Sequence, residues 1–244
     1  MTDPQFTLYS SGVTPNPAKA AILLEELGLS YKAIHRGFGG GANGVKAADY
    51  LKINPNGRVP TIIDHGNNDK TVWESGAILF YLAEKYDTAG KYLGTNIDEK
   101  AEVMQWLIFQ VSGMGPMQGQ VHYFRNSHPV KNLDQSVYDR FINETHRVWN
   151  VFEQRLEGRE WLALDRFTVA GGFSVRLLER YMCLLAQITI DIAVYTWLRV
   201  RSNGGLDLIK FPRLEAYLNR ISEFATVKAA YDKLVAAKQV TVQT

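Results

Sequence analysis

Residues 56–62, NGRVPTI, place Val59 and Pro60 directly before a short apolar run. Proline has no N–H to give to a sheet ladder, so within a sheet it belongs at a strand start or an edge. The stretch VPTIID, 59–64, therefore reads as a strand that opens on this pair. A second run, KTVW at 70–73, follows after HGNN, and the two read as a β-hairpin. Two readings of Val59-Pro60 stand side by side. The ordinary one is a proline before a strand. The other is a cis bond that turns the Val59 N–H and C=O outward, where an extended peptide pairs with them; about 5% of X–Pro bonds in folded proteins are cis.

Past the hairpin stands WESGA, 73–77. Ser75 reads as the N-cap of a helix, ESGAILFYLAEKY. The N–H groups at such a start, with the positive end of the helix dipole, suit a carboxylate. Glu74 suits an ammonium. An ordinary N-cap is the commoner explanation of a serine before a helix.

Before the hairpin, FTLYS (6–10) reads as a strand and TPNPAK (14–19) as the opening of a helix that ends at Gly28. Asn16 is expected at the N-cap, with Pro17 at the first helical position. A helix start bearing a hydroxyl and an amide stabilises a thiolate. No cysteine is near Thr14 or Asn16, so such a thiol belongs to a bound ligand; plain capping is the ordinary alternative. YKAIH (31–35) alternates like a strand, and KAADYLKIN is a short helix. The glycine-rich loop GFGGGANG (37–44) lacks the Gly-Lys-Ser/Thr ending of a phosphate loop. The order β-α-β-α-β-β-α over 1–87 is a small α/β domain.

A polar link covers 88–97, and the pattern from 98 to 244 is helical: an α/β domain followed by an all-α domain. SVYDRFINETHRVWNVFEQRLEG carries Val137, Phe141, Val148, Val151, Phe152 and Leu156 along one face. FQVSGMGPMQGQVHYF, 109–124, reads as a kinked core helix or, through Met114 and Met117, as a flexible apolar wall for a variable electrophile.

The chain has 244 residues, 46% hydrophobic and 21% charged, with net charge +2. That balance gives no reason to expect nucleic acid or an anionic membrane as partner. Cys183 is the single cysteine, so no intramolecular disulfide forms, which fits a reducing compartment. The N-terminus shows no leader pattern, and no apolar run reaches the roughly 18 residues of a membrane span. A cytoplasmic protein is expected. His122 and His128 are six apart and His35, His65 and His146 isolated, so no metal set is expected; His65, in the hairpin, is expected to be solvated.

These turns occur together and in order, and so the sequence resembles the cytosolic glutathione transferases. NPNGRVPTIID, WESGAILFYLAEKY, GPMQGQVHYF and DIAVYTW carry the resemblance over nearly the whole chain. TPNPAK and GPMQGQ resemble more narrowly the nu class and the fungal transferases related to the nitrogen-catabolism regulator. The resemblance implies a thioredoxin-like N-terminal domain, a helical C-terminal domain, a homodimer, and glutathione as co-substrate with no metal. It implies that Val59, before a cis-Pro60, pairs with the cysteinyl backbone, and that Glu74 and Ser75 hold the γ-glutamyl end. It implies Asn16, with Thr14 as the alternative, as donor to the glutathione sulfur. Arg140 resembles a basic residue that approaches the ligand from the helical domain; a surface ion pair is its other reading. Tyr9 is a weaker candidate than Asn16.

Two features depart from the family. Its usual glutamine or histidine before KAADYLKINPNG is replaced near Asn43 or Val45, with Asn43 as the stand-in contact. Residues 171–190, GGFSVRLLERYMCLLAQITI, interrupt a passage that normally joins Thr168 closely to Asp191. They are either an extra helix or a translated intron remnant, and Thr189 is the shifted capping candidate. The expected function is a glutathione-dependent transferase or disulfide-bond reductase acting on a small electrophile or disulfide. The alternative is a regulator or apolar-ligand carrier without turnover.

Overall fold

The computed structural model describes residues 3–164 and 188–242. Thr168, Cys183 and nearly all of 171–190 lie outside them, as does the Thr189 side chain. Two units are present, Met1–Asp87 with Ser222–Thr244, and Thr88–Ile221.

The first unit is built on β1 (Phe6–Ser10), α1 (Pro15–Glu26), β2 (Tyr31–His35), α2 (Ala48–Ile53), β3 (Thr61–Asp64), β4 (Lys70–Trp73) and α3 (Ser75–Tyr86). The sheet order is β2-β1-β3-β4. β1 runs parallel to β2, with Phe6 opposite Tyr31, and antiparallel to β3, with Leu8 opposite Ile62. β3 begins at Thr61, two residues later than expected. It lies between β1 and β4, so each residue must serve two ladders, and Pro60 has no N–H to offer either. Thr61 is the first residue that pairs, with Tyr9 on one side and Trp73 on the other. The hairpin turn is a short 3-10 segment, His65–Asn67, followed by Asn68 and Asp69 in the left-handed region. His65 is not simply solvated: its ring bonds Thr7 Oγ1 at 2.9 Å and Asp69 Oδ1 at 2.5 Å.

α1 is buried on almost every side, from Pro17 through Leu24. A helix apolar all round needs cover all round. The sheet and α3 supply part of it. The rest comes from the last helix of the chain, Ala225–Val242, which packs on α1 and β2. Its Val227, Ala230, Tyr231 and Leu234 are buried at helical spacing. Lys233 pairs with Glu25 at 2.6 Å and stands over the Tyr31 ring. The sequence pattern groups this helix with the all-α domain; its packing places it with the sheet.

The second unit contains α4 (Ile97–Phe109), a π-helical turn at Gln110–Met114, α5 (Gly115–Asn126), α6 (Gln135–Arg155), α7 (Ile188–Arg199) and α8 (Pro212–Ser222); the last helix of the chain is α9. Asn96 caps α4 by accepting from Asp98 and Glu99 N–H, both at 3.0 Å. The kink expected in 109–124 is the π turn between α4 and α5, a recognised cause of a bend. Asp191, in the first turn of α7, is buried and accepts from Tyr217 OH at 2.6 Å and Leu162 N–H at 3.3 Å. Among the described residues, no helix is long and apolar enough to cross a membrane.

Candidate functional site

Val59-Pro60 is a cis peptide bond. Both sides of it are held. Tyr50 OH donates to the Arg58 carbonyl and meets Thr61 Oγ1, each at 2.8 Å. Asn54 Nδ2 reaches the same two atoms at 2.8 and 2.9 Å, and Asn54 Oδ1 accepts from Asn56 N–H. The Val59 N–H and C=O themselves bond to no group among the described residues. They are therefore available to an added strand, the geometry of β-augmentation.

The start of α3 differs from the expectation by one residue. Glu74, not Ser75, is the N-cap, and it sits at φ 71°, ψ 120°. A positive φ is costly for a residue with a Cβ and clusters at functional sites. Ser75 becomes the first helical residue. Ile78 N–H makes the first intrahelical bond, to the Glu74 carbonyl at 2.9 Å. The N–H groups of Ser75, Gly76 and Ala77 lie ahead of it at the positive end of the helix. The Glu74 side chain is exposed and takes a long bond from Asn56 Nδ2 at 3.3 Å.

The start of α1 differs by two. Thr14 is the N-cap, Pro15 the first helical residue and Asn16 the second. Pro15 explains the shift: it presets a helical φ for itself and drives the residue before it into extended backbone, and Thr14 has φ −69°, ψ 152°. Pro15 and Pro17 carry no N–H, so Asn16 brings the only backbone donor of the first three helical positions. Thr14 makes no capping bond with its side chain, and its Oγ1 is buried with no partner among the described residues.

Sequence reasoning missed the charge behind these turns. Lys19 is 1% exposed, and its Nζ donates to Ser75 Oγ at 3.2 Å. Desolvation lowers its pKa to about 7, with the Glu74 carboxylate opposing. The signal was present: Lys19 is the lone cation in PAKAAILL, on a helix with no polar face to receive it. Sequence reasoning also missed Tyr50 and Asn54.

Asn43 is exposed in the glycine loop, where its carbonyl accepts from Gly37 N–H at 2.9 Å. Val45 is buried, so of the two candidates there only Asn43 faces solvent. Gly44 is required, because a side chain there would run into the Gly39 carbonyl oxygen. Tyr9 meets the Tyr50 ring at 5.3 Å and the Arg36 guanidinium at 5.5 Å, whereas Phe6, Leu8 and Ser10 alternate to the other sheet face. Arg140 lies exposed on α6 in the second unit. The Glu144 carboxyl is held below its ordinary pKa mainly by Arg147, with Arg140 adding. Within the first unit, then, the structure groups Lys19, Glu74 and Ser75, and braces Val59-Pro60. Among the described residues, no group of His, Cys, Asp and Glu is placed to hold a metal ion.

The family of glutathione S-transferase N-terminal domains matches residues 4–84. Glutathione S-transferase 2 of Schizosaccharomyces pombe is 38% identical over 96% of this chain and 98% of its own. The disulfide-bond oxidoreductase YfcG of Escherichia coli is 34% identical over 85% of this chain and 86% of its own. Among solved structures, glutathione transferase URE2P6 of Phanerochaete chrysosporium, in complex with oxidized glutathione, superposes with a TM-score of 0.79 at 35% identity, covering 96% of this chain and 98% of that one. With a thioredoxin-like sheet unit first and helices after it, the chain belongs to the glutathione S-transferase family.

Proposed function

We propose that this protein is a glutathione-dependent transferase and disulfide-bond reductase that holds glutathione along its first unit and stabilises the thiolate. The observation that carries the reading is the backbone of Val59, whose N–H and C=O bond to no group among the described residues and are left for an extended peptide. Val59 pairs with the cysteinyl backbone. Ser75 and the first N–H groups of α3 take the α-carboxylate of the γ-glutamyl end, and Glu74 takes its ammonium. Asn16 or Thr14 donates to the sulfur and lowers the thiol pKa. Asn43 and Arg140 are the further contacts that the family resemblance assigns.

The residues at the start of α1 hold the sulfur as an anion; the sulfur supplies the nucleophile. In conjugation it forms a bond to an electrophilic carbon, and the leaving group departs with the electron pair. In disulfide reduction it attacks one sulfur of the substrate, releases the other as thiolate, and a second glutathione resolves the mixed disulfide to oxidized glutathione. The names of the two relatives, a transferase and a disulfide-bond oxidoreductase, support both outcomes. The compartment this reading assigns is the cytoplasm, where glutathione keeps thiols reduced; a chain with one cysteine supports it.

The decisive experiment is calorimetry with reduced and oxidized glutathione, followed by turnover assays with a small disulfide and an aryl halide. Binding to neither form ends the proposal. Binding without turnover in both assays makes the protein a carrier instead. The partner we assign is a second copy of the chain, supported by large exposed apolar side chains, Trp73 at the end of β4 and Phe80 on α3, 39% and 40% exposed. Sedimentation velocity is expected to show a dimer that Phe80→Glu weakens; a monomeric wild type refutes it.

A further inference from the structure

The start of α3 is backed by a charge with no role in the reaction as described so far. We propose that Lys19 is a positioning residue for glutathione, acting through Ser75: from behind the first turn of α3 it fixes the Ser75 hydroxyl so that its hydrogen meets the ligand α-carboxylate. This rests on the glutathione reading above.

The chemistry is one of donors and lone pairs. A hydroxyl has one hydrogen and two acceptor sites, whereas a lysine ammonium only donates. In its charged form Lys19, with Nζ 3.2 Å from Ser75 Oγ, therefore occupies an acceptor site of that oxygen. The Ser75 hydrogen is turned away from Lys19. The N–H groups of Ser75, Gly76 and Ala77 open at the same helix start, so an anion there finds amide donors in place and, once Lys19 is charged, the hydroxyl hydrogen aimed with them.

The position of Lys19 also couples binding to protonation. Burial makes its charge costly, and the pKa falls to about 7. A carboxylate brought to Ser75 is a new negative charge at short range, which favours the ammonium again. α3 brings Glu74, the carboxylate that bears on Lys19. α9 brings Lys233, paired with Glu25 near the far end of α1, and Lys238, which acts on His35. β1 carries no charged residue, and its Tyr9 is turned to Tyr50. Ligand binding near neutral pH is therefore accompanied by proton uptake at Lys19.

The probe is S-methylglutathione, which keeps the carboxylates and the ammonium and has no thiol to ionise. Calorimetry on the whole protein at pH 7.5, in two buffers of different ionisation enthalpy, counts the protons exchanged. Uptake of about half a proton per ligand is expected, falling toward zero at pH 5.5, where Lys19 is already charged. Lys19→Met is expected to abolish the uptake and to weaken binding about tenfold, the equivalent of one pK unit of lost interaction. Binding by the unaltered protein with no proton uptake overturns the proposal even where the variant fails to fold. So does a Lys19→Met protein with unchanged affinity. No binding of the probe by the unaltered protein is a different failure, since it removes the glutathione reading itself.

Discussion

Two donors are candidates for the sulfur at the start of α1, and their situations differ. Asn16 contributes a side-chain amide together with the one backbone N–H that the two prolines leave in the first three positions. Thr14 contributes a hydroxyl that is buried and bonds to nothing among the described residues. An unpartnered buried hydroxyl costs about 1–3 kcal/mol, which a bound sulfur anion would recover. Thr14→Val keeps the shape and removes the hydroxyl. It is expected to leave stability unchanged or raise it by up to about 1 kcal/mol in urea unfolding, while raising the pKa of bound glutathione. Asn16→Ala deletes the amide and keeps the backbone N–H. A hydrogen bond to a charged group is worth about 1.5–3 kcal/mol, so turnover is expected to fall about tenfold or more, and glutathione affinity by less. Equal losses in turnover and affinity would remove Asn16 from the reaction.

At the level of elements, α1 is the helix that links sequence to site, and it depends on a helix at the far end of the chain. Its first turn, to which we assign the sulfur donors, is held against the sheet because α9 covers the face that α3 and the sheet leave open. Thr226 Oγ1 and Lys233 of α9 engage Glu26 and Glu25 of α1. Leu234 is fully buried in this contact. Leu234→Ala is expected to cost about 2–5 kcal/mol. Trp73 is the single tryptophan outside residues 88–221, so the loss should be read in a protein whose other tryptophans are replaced. If Trp73 fluorescence reports an unchanged midpoint, α9 does not support the first unit. The same dependence explains what the sequence disclosed. Strand and hairpin positions follow from local alternation and turn residues, and β1, β2 and β4 fall where the pattern puts them. The three turns were legible because proline, serine and asparagine act on their own backbone. Cap positions were not, because Pro15 and the strained Glu74 moved them by one or two residues. Lys19 was legible as the lone cation of an apolar helix, but its contact was not: Ser75 lies 56 residues further along the chain, and no local pattern records that pairing.

For the whole molecule, the buried titratable groups define a window of pH. Burial holds His35, His122 and His146 below the ordinary histidine pKa, with Lys238 adding at His35 and Lys210 at His146. Each takes its proton more readily when unfolded, so stability is lost as pH falls below about 6.5. His122 has the clearest cause, since its Nε2 is buried without a partner among the described residues. Burial acts the other way on tyrosines. It raises Tyr31, Tyr50, Tyr86 and Tyr217, with Glu25, Asp64 and Asp191 adding at Tyr31, Tyr86 and Tyr217 in turn. Their contribution is complete below pH about 10 and is lost as pH rises beyond it. Lys19 spans the interval between. Its folded pKa of about 7 lies below the unfolded value of about 10.4, so the unfolded chain binds the extra proton and stability climbs as pH rises through that range. Thermal midpoints are therefore expected to rise from pH 5 to 7, to go on rising more gently toward 9, and to turn down above 10. Saturating S-methylglutathione, by raising the Lys19 pKa by about one unit, is expected to flatten the limb between pH 7 and 8 and to leave the acid limb in place. Lys19→Met should flatten the same limb without ligand. A midpoint indifferent to pH between 7 and 9 in the unliganded protein would mean that Lys19 keeps its proton throughout, and that the charge behind Ser75 is permanent rather than drawn in by the ligand.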